Sequence, residues 1–161
     1  MAGNITYRYG TANQTITVTV ASLTNSSARA STAVDNTTNL FLDALVGGKV
    51  KSAAAATSAT GTVNVYAYGT TDGGTTYSDT ATGTDAAITL TVPPNARLIG
   101  VINVVANATT YEFGPFSVAS AFGGQLPASW GVIIENKSGA TLDATGGNHF
   151  VTYQGVAGAY T

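Results

Sequence analysis

The sequence predicts an all-β domain, a sandwich or barrel of antiparallel strands, on three observations. Apolar residues alternate with polar ones in many short runs, and helical periodicity is almost absent. The runs are separated by turn clusters such as "TTDGGTTYSD", "PPNA", "NATT" and "NKSGA". The spacing between clusters is fairly regular, which suits short strands packed face to face.

Taken in order, Ile5, Tyr7 and Tyr9 alternate with polar residues, so residues 1–10 form an N-terminal arm or first strand before a single domain over 11–161. In "QTITVTVASL", Ile16, Val18 and Val20 share one face and Thr15, Thr17 and Thr19 the other; threonine is β-branched and fits a half-wet pleated surface. "NLFLDALVGGKVK" sets Leu40, Leu42 and Ala44 on one face, with a bulge or bend at Gly47–Gly48 before Val50. "TVNVYAYG" alternates Val63, Val65 and Ala67 with Asn64, Tyr66 and Tyr68, and "AITLTVPP" carries Ile88, Leu90 and Val92 up to a double proline. "RLIGVINVVA", "TYEFGPFSVASA", "SWGVIIEN" and "HFVTYQGV" complete about nine strands. "SAAAATSAT" is too short and stripe-free for a helix and reads as a loop, while "SVASAF" reads as a strand end. Along "SWGVIIEN", Trp130, Val132 and Ile134 fall on one face, opposite Gly131, Ile133 and Glu135. Burying the single tryptophan contributes roughly 2–3 kcal/mol, which makes these three residues the keystone of the core.

Composition narrows the function classes. The chain has 161 residues, 44% hydrophobic and 9% charged, with net charge −2 and no cysteine. That excludes a disulfide framework and thiolate metal sites. It is too apolar for disorder, holds no apolar run long enough to span a membrane as a helix, and has no basic stripe for nucleic acid. The first residues lack a signal-peptide pattern, so synthesis in a cytoplasm without a secretion signal is the expectation. So few charges suit a surface that works packed against neighbours, and strand edges with few lysines are poorly guarded against pairing; a homo-oligomer is expected. Residues 24–39 and 70–86 are long polar loops, a length often reserved for function or for contact with partners.

No catalytic or metal constellation emerges. Asp72, Asp79 and Asp85 share a glycine-rich loop, but without the ligand order of a calcium loop they read as turn residues. His149, the single histidine, lies six residues after Asp143, with no nucleophile elbow to complete a dyad; it reads as a strand-end residue bonded to backbone or solvent. Glu112 and Glu135 lie on different strands and could face each other as glycosidase acids do, yet no aromatic cluster surrounds either. "TDGGTT" and "TGGN" lack the helix a phosphate cradle needs. The Asn-x-Ser/Thr triplets at Asn4, Asn13, Asn25, Asn36, Asn107 and Asn136 arise readily in a chain rich in both residues. No cofactor is expected.

Four blocks carry a resemblance: "TAVDNTTNLFLDALVGGKVK", "VNVYAYGTTDGGTTYSD", "GPFSVASAFGGQLPASWGVIIENKSGATLD" and "YQGV". In that order, over most of the chain, they resemble small virion proteins of tailed bacteriophages. The resemblance implies a jelly-roll-like β-sandwich located on the virion, with no catalytic residues. It implies a capsid decoration or cement protein bound to the major capsid protein, or alternatively a tail, baseplate or fibre component with a receptor- or glycan-binding role. Under either, the expected partner contacts are Tyr7 and Tyr9 on the arm, Arg29 and Asp35 in the first long loop, and Tyr66, Tyr68, Asp72 and Tyr77 in or beside the second.

Overall fold

The computed structural model describes residues 3–160; Met1 and Ala2 of the expected arm, and Thr161, lie outside the described residues. Eleven strands are found there rather than about nine: β1 (Ile5–Tyr9), β2 (Gln14–Ile16), β3 (Ser27–Ala30), β4 (Val34–Asp35), β5 (Asp43–Lys51), β6 (Thr62–Thr70), β7 (Ala86–Ile88), β8 (Arg97–Asn103), β9 (Thr110–Ser117), β10 (Ser129–Lys137) and β11 (Phe150–Tyr160). They form two antiparallel sheets, a β-sandwich as the alternation predicts. The first runs β1-β11-β5-β9, with β2 on β11 as well; the second runs β7-β3-β10-β6-β8, with β4 on β10.

The core lies where the inward faces of these strands meet. Val46 and Val50 of β5 and Val151 and Tyr153 of β11 pack against Val63 and Val65 of β6 and Trp130, Val132 and Ile134 of β10. Trp130 is fully buried and meets the Tyr153 ring edge-on, centroids 5.3 Å apart at 86°, a favoured aromatic geometry. The keystone expected from "SWGVIIEN" is therefore in place, with Ile133 on the far face of the sheet.

Several boundaries differ from the sequence pattern, each for a local reason. The threonine-rich run is a strand only as far as Ile16; beyond it the chain turns the corner between sheets, where Thr17 accepts from the Thr32 N–H and Thr19 binds Asp85. Leu40 and Leu42 precede β5 instead of joining Ala44 on one face. Asn36 holds them in a loop, its side chain bonding both the N–H and the C=O of Phe41 at 2.9 Å. The loop expected over 24–39 contains β3 and β4, and "SVASAF" ends in a 3-10 turn over Ala119–Phe122. The bend at Gly47–Gly48 is a bulge, with the register against β9 shifting between Val46 and Gly48. Gly114 sits opposite at φ +94°, where an added Cβ would lie 2.4 Å from the Val46 carbonyl, so glycine is required there.

The segment from 71 to 96 is not a free loop. It folds back over the outer face of the second sheet, contributes β7 to the sheet edge beside β3, and closes a second hydrophobic cluster. Tyr66, Tyr68 and Ile133 rise from the sheet into that cluster, and Ala81, Ala96, Tyr77 and Leu90 cover them from the segment.

Candidate partner-contact surfaces

The N-terminal strand builds the most exposed apolar surface. β5 begins only at Asp43, opposite Val156, while β11 continues to Tyr160 with β1 alongside. Beyond the sandwich the two strands thus form a ribbon. All five residues of β1 are exposed, so both faces of the strand meet solvent. Ile5, Tyr7 and Tyr9 expose 82%, 79% and 61% of themselves, and the neighbouring Leu42 exposes 49%. A shallow groove of about 680 Å³ runs from Tyr7 and Tyr9 past Leu42 and Val156 to Ser117 and Gln125. The alternation in "ITYRY" announced the strand, and among the described residues no second layer covers it.

The loop candidates fare differently. Tyr68 is fully buried and Tyr66 nearly so, which corrects the expectation that they present a surface: the 71–96 segment covers them. The Tyr68 hydroxyl donates to the Ser31 carbonyl at 2.6 Å, and burial pushes its phenol up to about 12. Tyr77 packs edge-on against Tyr68 with centroids 5.2 Å apart, its hydroxyl 2.8 Å from that of Ser129. These tyrosines anchor the covering segment and leave little aromatic surface for a partner. Arg29 is tied to Asp85 by an ion pair between β3 and the segment. Asp35 is exposed and accepts from the Thr37 N–H at 2.8 Å; the Thr37 side chain first, and this backbone bond second, lower its carboxyl below the ordinary range. Asp72 accepts from Thr70, Thr75 and Thr76 in a local turn, and the Thr70 bond above all holds it well below the usual carboxylate range.

The carboxylates considered for calcium do not converge. Asp72 bonds within its own turn, and Asp85 goes to Arg29 and Thr19. Asp79 turns inward to the Thr91 N–H and hydroxyl and to the Ala96 N–H. Burial alone would raise the Asp79 carboxyl, but these bonds outweigh it and leave it below the ordinary range. Among the described residues no group of three or more potential ligands could hold a metal ion.

The paired-acid geometry is also overturned. Glu112 lies opposite Lys49 on the first sheet and Glu135 opposite Asn64 on the second, each on an outward face, so the sandwich separates them. Glu135 accepts from Tyr66 and Asn64, both at 3.0 Å, and pairs with Lys137 at 3.2 Å. It stands beside a cleft of about 540 Å³ between residues 19–29 and 87–92, with both of its oxygens engaged. His149 bonds to the Asp143 carbonyl at 2.9 Å rather than to the carboxylate, and its Nδ1 accepts from the Lys51 N–H. That places the ring proton on Nε2, in a backbone-bonded role. The Asp143 carboxylate goes instead to Asn148 and Thr145.

Two features escaped the sequence pattern. The clasp of Asp79 on Thr91 and Ala96 reaches seventeen residues along the chain, across β7, and only the rule that a buried acid needs several donors points to it. The exposure of Ile5 and Leu42 depends on where β5 stops, which periodicity does not encode. Comparison with protein-family profiles, with curated proteins and with solved structures finds no match.

Proposed function

We propose that the chain is a non-enzymatic structural protein of a tailed-phage virion, a capsid decoration or cement protein that binds the major capsid protein and stabilises the outer shell. The observation that carries the reading is the strand order. β2-β11-β5-β9 faces β3-β10-β6-β8, and the chain crosses between sheets at β2–β3, β4–β5, β5–β6 and at each step from β8 to β11. That interleaving supports a jelly-roll reading, an architecture frequent in viral capsid and lectin domains. Function does not follow from fold alone, so two further features matter. Glu135, Asp143 and His149 are spent on structural bonds, Glu112 lies on the other sheet, and the low-charge surface offers an apolar ribbon suited to protein contact.

The tail or fibre reading draws on a different observation, the exposed pair Tyr7 and Tyr9 beside Gln125 and Ser117, which suits stacking on a sugar. Copy number per purified virion, measured by quantitative mass spectrometry against the major capsid protein, separates the two. Hundreds of copies are expected for decoration. A handful would sink that reading and favour the tail, and absence from the particle would sink both.

A further inference from the structure

We propose that β1 is a self-pairing edge: two copies of this chain join through their β1 strands, antiparallel about a two-fold axis beside Tyr7. The inference gives a geometry to the homo-oligomer expected from the sequence and does not depend on the place of the protein in a virion.

The backbone sets the register. Gly10 donates its N–H to the Gly155 carbonyl, next to the Tyr9–Val156 pair. Because alternate residues of an antiparallel strand point their backbone groups to opposite edges, Arg8 and Thr6 face β11. Ile5, Tyr7 and Tyr9 therefore turn their N–H and C=O groups to the open edge, where no strand lies among the described residues. A second β1 placed with Tyr7 opposite Tyr7 sets Ile5 opposite Tyr9 at each end, and every such pair exchanges two hydrogen bonds.

The side chains accept the same operation. The apolar positions 5, 7 and 9 are symmetric about Tyr7, so the two-fold lays Ile5 against Tyr9 on one face and Arg8 against Thr6 on the other. The edge carries no lysine, acid or proline of the kind that guards exposed strands against pairing. A ribbon of two strands is marginal in water, whereas joining two copies gives a four-stranded layer, β11-β1-β1-β11. Pairing sets Ile5, Tyr7 and Tyr9 of the two copies side by side on one face, where cross-strand contacts add to the backbone bonds. A foreign strand without this symmetric pattern would match the edge less fully.

The test uses the full chain. Sedimentation equilibrium from nanomolar to high-micromolar concentration is expected to show a dimer or an even-numbered assembly. Tyr7→Pro removes an N–H that β11 does not use and is expected to give a smaller species with an unchanged far-UV circular dichroism spectrum. The chain has no cysteine, so Tyr7→Cys introduces a lone thiol that oxidation should couple to its own copy, within disulfide reach across an antiparallel pair. Tyr9→Cys alone should stay uncoupled, while a mixture of Ile5→Cys and Tyr9→Cys should form heterodimers. A chain that remains monomeric and leaves Cys-substituted position 7 uncoupled overturns the proposal, as does an oligomer that survives Tyr7→Pro with no coupling. A monomer whose Tyr7→Pro variant loses binding to capsids also overturns it and assigns the edge to the shell protein. None of these results alters the copy number on which the virion reading stands.

Discussion

Asp79 is a buried acid in a left-handed backbone position, φ 53°, and it holds the covering segment to itself. Replacing it with alanine leaves the Ala96 and Thr91 N–H groups without their acceptor, a loss of roughly 1–3 kcal/mol. Asn keeps one acceptor oxygen and tolerates positive φ, so Asp79→Asn should lose less than Asp79→Ala. Urea midpoints for the two variants check the order, and equal midpoints would mean the clasp contributes nothing. Tyr68 makes a second prediction at this scale. Its ring lies on Gly131, where an added Cβ would sit 2.4 Å from ring atoms. Gly131→Ala must push the ring aside, with an expected loss of about 1–3 kcal/mol and a changed near-UV tyrosine spectrum.

Among the elements, β10 is the one the sequence announced most fully and the one the fold uses most. It lies between β3 and β6 and supplies Trp130, Val132 and Ile134 to one core and Ile133 to the other. Trp130→Ala is expected to cost about 3–5 kcal/mol, read as a lower unfolding midpoint. A shift no larger than that of a surface substitution would remove its keystone role. Period-two alternation found β10, β6 and β5 because their faces differ in burial. It overran β2, where threonines and valines continue to alternate after the chain leaves the sheet, because alternation records an extended backbone and not the presence of a neighbour strand. It also placed Tyr66 and Tyr68 on an outer face correctly and missed that the face is covered. The cover comes from residues 71–96: over 71–85 the composition resembles a solvated loop, with Tyr77 and Ala81 too isolated to signal packing, and the alternation of Ile88, Leu90 and Val92 marks extended chain without showing what it covers.

For the molecule as a whole, the acid response follows from its carboxylates. Asp72, Asp79, Asp85 and Asp143 all titrate below the ordinary range when folded. For Asp85, burial works upward and the bonds from Arg29 and Thr19 prevail. A carboxyl lowered by folding stabilises the native state above its unfolded value, near 3.9, and that stability is lost as pH falls through the folded value. Stability should therefore hold through neutral pH and decline below about pH 4, with Asp79→Asn showing a shallower decline than the parent. A flat profile down to pH 2 would contradict the clasps. The candidate surface was half legible at this scale: "ITYRY" marked a strand with an apolar face, but its exposure depends on β5 not reaching the end of β11, and β5 and β11 lie far along the chain, at Asp43–Lys51 and Phe150–Tyr160.

The position of β11 has a kinetic consequence. The strand latest in sequence lies inside its sheet, between β5 and the pair β1 and β2, so the first sheet stays divided until it inserts. β5 with β9 and the second sheet can pair earlier, but the earliest strands must wait unpartnered for the latest. Contacts of such long sequence separation close slowly, on the millisecond-to-second scale typical of sandwiches. During synthesis the apolar N-terminal strands therefore travel exposed for most of the chain's emergence, and a ribosome paused before residue 150 displays a half-built sheet open to whatever strand is nearby.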